Sequence, residues 1–183
     1  MNEVIKAIKD RYSCRDFASA PITHEQAQAL AEAALAAPSA MNLQPWHIIV
    51  ITNKDLIDEY DADAMSILKE QNSEAYKRMA DRGGSIFYNA PCLIILAKDS
   101  SNYADLDNGI ATQNVALAAH SMGLASVICG MARIPLSGPR AEEWTKRLQI
   151  PEGYTFGMSV CVGTAKSGKT PHDLNFAKLT YVK

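Results

Sequence analysis

Arg11-Tyr12-Ser13-Cys14-Arg15-Asp16-Phe17 places two guanidiniums four residues apart with a hydroxyl between them. Arginine offers planar, multidentate donors that match phosphate, and serine adds a neutral donor. The competing assignment is a solvated turn in which Arg15 pairs with Asp16; on this segment alone the bland assignment is the stronger. A second candidate is Ala37-Pro38-Ser39-Ala40-Met41-Asn42-Leu43-Gln44-Pro45-Trp46. Two prolines and an asparagine make it an irregular, stiff loop that presents Ser39, Asn42 and backbone groups from a rigid base. The alternative is a plain connector whose Trp46 fills core. A third is the run from Asp107 through Ile110, Gln113 and Asn114 to His120, continuing Ser-Met-Gly-Leu-Ala125. Alone, this is a packing helix, and His120 on it is a satisfied core or interface histidine rather than a catalyst.

Gly163-Thr-Ala-Lys-Ser-Gly168-Lys169-Thr170 matches the phosphate-loop pattern GxxxxGK[ST] and follows an expected strand. A phosphate loop works because its lysine and threonine open a helix whose N-terminus faces the phosphates. Here Thr170 runs into Pro171-His172-Asp173, and no βαβ unit follows. The segment is expected to be a basic loop, which leaves little case for a nucleotide-binding protein.

The chain has 183 residues, 48% hydrophobic and 21% charged, with net charge -2. That length suits one domain spanning 1–183 with a substantial core. The charge balance gives no electrostatic case for nucleic acid or an acidic membrane as partner. No apolar run is long enough to cross a membrane, and MNEVIKAIKDRY lacks the apolar stretch of a signal peptide. Cys14, Cys92, Cys129 and Cys161 lie far apart without a CxxC pair, so no metal site is expected. Free thiols in a reducing, cytoplasmic setting are expected instead.

The elements that must position these segments alternate helix and strand, as in a layered α/β or α+β domain. Val4, Ile5 and Ile8 have helical spacing over 3–11. Thr23 with Gln26 forms a capping box, opening a helix that stops before Pro38. The run His47-Ile-Ile-Val-Ile51 predicts a strand buried on both faces. A polar helical stretch over 54–81, broken once, precedes a second strand at Cys92–Ala97. From Asp105 to Met122, Leu106, Ile110 and Leu117 form one apolar stripe and Ala111, Val115, Ala118 and Met122 the next, which predicts a helix buried nearly all round. Further strands are expected at 126–129 and 155–162, with a helix around 140–148. Leu179-Thr-Tyr-Val182 alternates like an edge strand or an arm without a local partner.

Together, in this order, RxSxRxF, APSxxNxQPW and DxGIAxQNxxLAAxxxGL resemble the nitroreductase family of FMN-dependent oxidoreductases, over most of the chain up to about Gly163. The resemblance implies an α+β fold, with a mixed central sheet flanked by helices, assembled as an interlocked homodimer with FMN at the subunit interface. It implies that Arg11 and Ser13 hold the phosphate and ribityl chain, with Tyr12 beside them, and that Arg15 lies near the ribityl or pyrimidine edge. Pro38 and Ser39, with Ala40, would reach the flavin from the second subunit, and Asn42 would shape that loop. The backbone at Cys129, Gly130 and Met131 would approach the flavin N5. Lys169 or His172 would supply the basic residue that the family places on the phosphate from its C-terminal region. The chemistry would belong to the flavin, with no catalytic side chain. NAD(P)H and then an electron-poor acceptor, a nitroaromatic or quinone, would use the site in turn. A flavin-binding protein without turnover, for storage or sensing, would carry the same residues.

Overall fold

The computed structural model describes residues 2–182. Four strands form one sheet in the order β1-β2-β4-β3: β1 (Trp46–Ile51), β2 (Cys92–Lys98), β3 (Ala125–Ile128) and β4 (Thr155–Gly163). Every pairing between them is antiparallel. The parallel component of the sheet is one isolated bridge, Ser13 to Ser126.

Six helices cover this sheet: α1 (Glu3–Asp10), α2 (His24–Leu35), α3 (Lys54–Glu70), α4 (Glu74–Ala80), α5 (Ala104–Ser121) and α6 (Ala141–Arg147). The alternation of β2 separates two cores, as the pleat requires. Leu93 and Ile95 pack with Ile57, Tyr60, Leu68 and Trp144 from α3 and α6. Cys92, Ile94 and Leu96 pack on the other face with Leu30 and Ala34 of α2 and Ala111, Val115 and Ala119 of α5. The strand covered on both faces is therefore β2. β1, expected to be buried on both faces, is an edge strand whose Ile48, Ile49 and Val50 are only half-buried. A run of branched residues fits either place, because periodicity does not report how many neighbours a strand has.

Local signals hold where they rest on backbone chemistry. The Thr23 hydroxyl accepts from Gln26 N and the Gln26 side chain accepts from Thr23 N, so the capping box opens α2. The polar stretch after β1 is α3 and α4, broken at 71–73. Trp46 does fill core.

α5 departs from expectation. Ala104, Asp107, Asn108, Ala111, Thr112, Val115, Ala116 and Ala119 are buried, yet Leu106 is 63% exposed and Ile110 and Leu117 only half-covered. One face packs on α2 and the sheet while the other stays open beside α1, whose Val4, Ile5 and Ile8 are also exposed. Within one chain the helix is thus buried on one side. The C-terminal segment matches the arm: Leu174, Phe176, Leu179, Tyr181 and Val182 are all exposed and belong to no strand. No described helix is long and apolar enough to cross a membrane, and the four cysteines are buried and unlinked.

Candidate functional site

The chain leaves α1 at Arg11 and crosses the ends of β3 and β4 as an extended ribbon. Cys14 N donates to Ser126 O (2.9 Å), Ala18 N to Thr164 O (2.8 Å) and Lys166 N to Asp16 O (3.1 Å). Phe17, bridged to Ala165, is buried in the core and anchors the ribbon. Side chains on either side of that anchor are held over two clefts.

The first cleft, of about 450 Å3, is lined by Tyr12, Ser13, Arg15, Ser167 and Lys169, joined by Arg82 from the turn after α4. The second, of about 190 Å3, holds Arg11 and Tyr12 with His120 and Gly123 at the last turn of α5. Tyr12 forms the wall between them, and its hydroxyl donates to Ser167 O at 3.3 Å. Burial, helped by the nearby Cys14 thiol, raises the Tyr12 pKa, so the phenol stays a neutral donor.

The expected turn pairing of Arg15 with Asp16 is not made; Asp16 pairs with Lys166 at 3.3 Å. Among the described residues, no ion pair engages Arg11, Arg15, Arg82 or Lys169. Free cations facing a shared cleft beside serine hydroxyls are the donor set that a phosphate monoester needs, and FMN carries one. Ser13 and Lys169 would hold it on one side of Tyr12 and Arg11 on the other, with Arg15 lining the same cleft as Ser13. His172 is exposed and lines neither cleft, whereas Lys169 lines the first.

The loop of Pro38, Ser39, Ala40 and Asn42 stands elsewhere. Ala40 N donates to the buried Asp107 carboxylate at 3.1 Å, in the first turn of α5. Gln44 N donates to the Ser39 hydroxyl at 2.9 Å, and Met41, Asn42 and Gln44 take positive φ values of 52°, 55° and 48°. Asp107 and His120 are thirteen residues apart on α5, which at about 1.5 Å per residue separates the loop from the Arg11 cleft by roughly 20 Å. One chain therefore does not bring the loop to its own cationic clefts.

Cys129, Gly130 and Met131 lie at the turn after β3, lining neither cleft. Cys129 N donates to Ser159 O at 2.8 Å, and the buried Tyr60 hydroxyl donates to Ala132 O, which pins the turn from both sides. Arg82 escaped the sequence reading, because nothing local marks it: it lies about seventy residues from Arg11 and only the fold brings it to the cleft.

The phosphate-loop match does not form one. Residues 164–170 are irregular, and no helix opens at Lys169-Thr170. Gly163 has a packing reason instead: a Cβ there would stand 2.5 Å from Pro91 Cδ and 3.2 Å from Phe17 Cδ1.

Comparison with known proteins identifies the family. The nitroreductase family model matches residues 8–164, and the chain belongs to that family. A crystal structure of a nitroreductase with bound FMN from Desulfitobacterium hafniense is 46% identical, covers all of both chains and superposes with a TM-score of 0.95. An FMN-dependent nitroreductase from Clostridium difficile is 31% identical over 99% of each chain, with a TM-score of 0.84. The NADPH-flavin oxidoreductase of Vibrio harveyi is 29% identical over 170 residues, 89% of this chain and 66% of that protein.

Proposed function

We propose that the protein is an FMN-dependent oxidoreductase working as a homodimer with shared sites. The observation that carries this is the convergence of Ser13, Arg15 and Lys169 on one cleft with no carboxylate partner for either cation. The donor set fits the flavin phosphate, and FMN is bound in the structure of the Desulfitobacterium hafniense nitroreductase. Bound there, FMN would supply the redox chemistry between NAD(P)H and an electron-poor acceptor, a nitroaromatic or quinone, which would use the site in turn.

The chain's own residues bind and orient. Arg11, Ser13 and Lys169 hold the phosphate and ribityl chain, Arg15 faces the pyrimidine edge, and the turn at Cys129, Gly130 and Met131 offers backbone to N5. The loop of Pro38, Ser39, Ala40 and Asn42 serves the flavin of the second copy, which its displacement of about 20 Å along α5 supports. A second copy also answers the open face of α1 and α5 and the unpartnered arm. β1 leaves one edge free along a groove of about 360 Å3, the kind of edge that an extended segment completes.

The test is Arg11→Ala with Arg15→Ala. Two charge-assisted contacts at about 1.5–3 kcal/mol each make the pair worth roughly two orders of magnitude or more in FMN affinity. The variant should purify folded and colourless; stoichiometric FMN at wild-type affinity would sink the assignment. Anaerobic NADH or NADPH should bleach the yellow wild type, and a flavin that stays oxidised would mark a binding protein without turnover.

A further inference from the structure

Ser159 stands in the middle of β4, fully buried, as are Val160, Cys161 and Val162 after it. A branched apolar side chain would suit that place in a strand, and a buried hydroxyl is costly unless it is bonded. The Ser159 hydroxyl donates to Cys129 O, while Ser159 O accepts Cys129 N at 2.8 Å. Cys129 is the first residue past the β3–β4 ladder, whose last pair is Ile128 with Val160. The far end of the turn has its own clamp, the Tyr60 hydroxyl donating to Ala132 O. That ring is fixed by stacking on Phe87 (centroids 5.9 Å apart) and by edge contact with Trp144 (4.7 Å). Burial pushes the Tyr60 pKa well up, so its O–H remains a donor.

Peptide planarity gives the Ser159 bond a consequence beyond packing. The C=O of Cys129 and the N–H of Gly130 belong to one trans peptide and point opposite ways. With the oxygen held by Ser159 inside the sheet, the N–H faces away from that hydroxyl, and Gly130 is exposed. Gly130 opens the 3-10 turn Gly130–Arg133, so its N–H has no partner within that turn. We infer that Ser159 is a positioning residue: its hydroxyl fixes the direction of the Gly130 N–H at the N5 edge of the flavin. The inference rests on the flavin reading above, in which the turn of Cys129, Gly130 and Met131 offers backbone to N5. An N–H fixed in advance presents its positive end to the charge that reduction brings there, with no reorganisation at that moment. Without the hydroxyl, the Tyr60 clamp keeps the turn in place while the Cys129–Gly130 peptide is free to rotate.

The experiment compares Ser159→Thr with Ser159→Val in the FMN-loaded protein. The two side chains fill nearly the same space, so any cost of added bulk is common to both, and only threonine keeps the hydroxyl. Three quantities are read: hydrogen exchange of the Gly130 amide by NMR, FMN affinity, and the rate of bleaching at saturating NADH or NADPH without oxygen. Ser159→Val should exchange the Gly130 amide about tenfold faster than Ser159→Thr and bleach about tenfold more slowly. FMN affinity and the KM for the nicotinamide should differ little between them, because the phosphate is gripped elsewhere. Ser159→Ala adds no bulk; set against the wild type it should show the same two losses, and it decides alone if the larger pair does not fold. Equal Gly130 exchange with and without the hydroxyl overturns the proposal, whatever happens to the bleaching rate or to FMN affinity, since Ser159 would then only fill space. A wild type that takes up no FMN at all would fail the flavin reading itself, and this proposal with it.

Discussion

The Asp107 carboxylate accepts the backbone N–H of Ala40 at 3.1 Å, tying the first turn of α5 to a loop 67 residues earlier in the chain. That bond anchors the loop of Pro38, Ser39 and Asn42 to α5. Three residues of the loop sit at positive φ without being glycine, a strained arrangement that needs an external anchor. Asp107→Ala removes a buried charge-assisted acceptor and leaves the Ala40 N–H without its partner. Stability should fall by about 1.5–3 kcal/mol, read as a lower urea midpoint at unchanged m-value. FMN affinity should fall with it, since the loop is proposed to serve the cofactor. An unchanged midpoint would show that the loop holds itself.

The two glycines of the phosphate-loop match should behave differently. Gly163→Ala puts a Cβ 2.5 Å from the rigid Pro91 ring and should cost about 1–3 kcal/mol. Nothing lies within 4 Å of a Cβ at Gly168, so Gly168→Ala should be close to neutral. Lys169→Ala should abolish no ATP binding, because there should be none. Saturable micromolar ATP binding by the wild type, lost on Lys169→Ala, would restore the nucleotide reading.

What was legible in the sequence follows what is local. The capping box at Thr23, the break between α3 and α4, and Trp46 as core rest on neighbouring residues, and each is where it was expected. What was not legible depends on neighbours distant in sequence. The apolar run of β1 does not say that it ends a sheet. Both stripes of α5 are apolar, so composition could not tell the one packed on α2 from the one left open. The separation of Arg11 from Arg15 by the Tyr12 wall, and the arrival of Arg82, need the fold.

Alkaline pH should destabilise the protein through its buried thiols. Burial among apolar side chains of β2 pushes the Cys92 thiol up to about 12. An unfolded thiol ionises near 8.5. Below that, both states hold the proton and stability is complete. From there to about 12 only the unfolded chain loses it, so stability falls as pH rises, by up to about 1.4 kcal/mol per unit for this group. Urea midpoints at pH 8, 9.5 and 11 should decline, and less steeply in Cys92→Ala, whatever its starting stability. Equal slopes would remove Cys92 from the account.

The shared-site dimer makes the strongest demand. Ala118, half-buried beside the core of its own chain, is a poor place to probe an interface, and Ala111 and Ala119 are fully buried against α2 and the sheet. Leu106 is the better probe: it is 63% exposed, in the open stripe with Ile110 and Leu117. A monomer should tolerate Leu106→Glu, since the side chain already meets solvent. A two-fold interface over this face would bury two unpaired carboxylates, each costing several kcal/mol. The variant should sediment as a folded monomer, with FMN affinity reduced because the loop of Pro38 and Ser39 no longer reaches the neighbouring flavin. A wild type that sediments as a monomer, or a Leu106→Glu monomer that keeps FMN at wild-type affinity, would refute the shared site and leave each chain to complete its own.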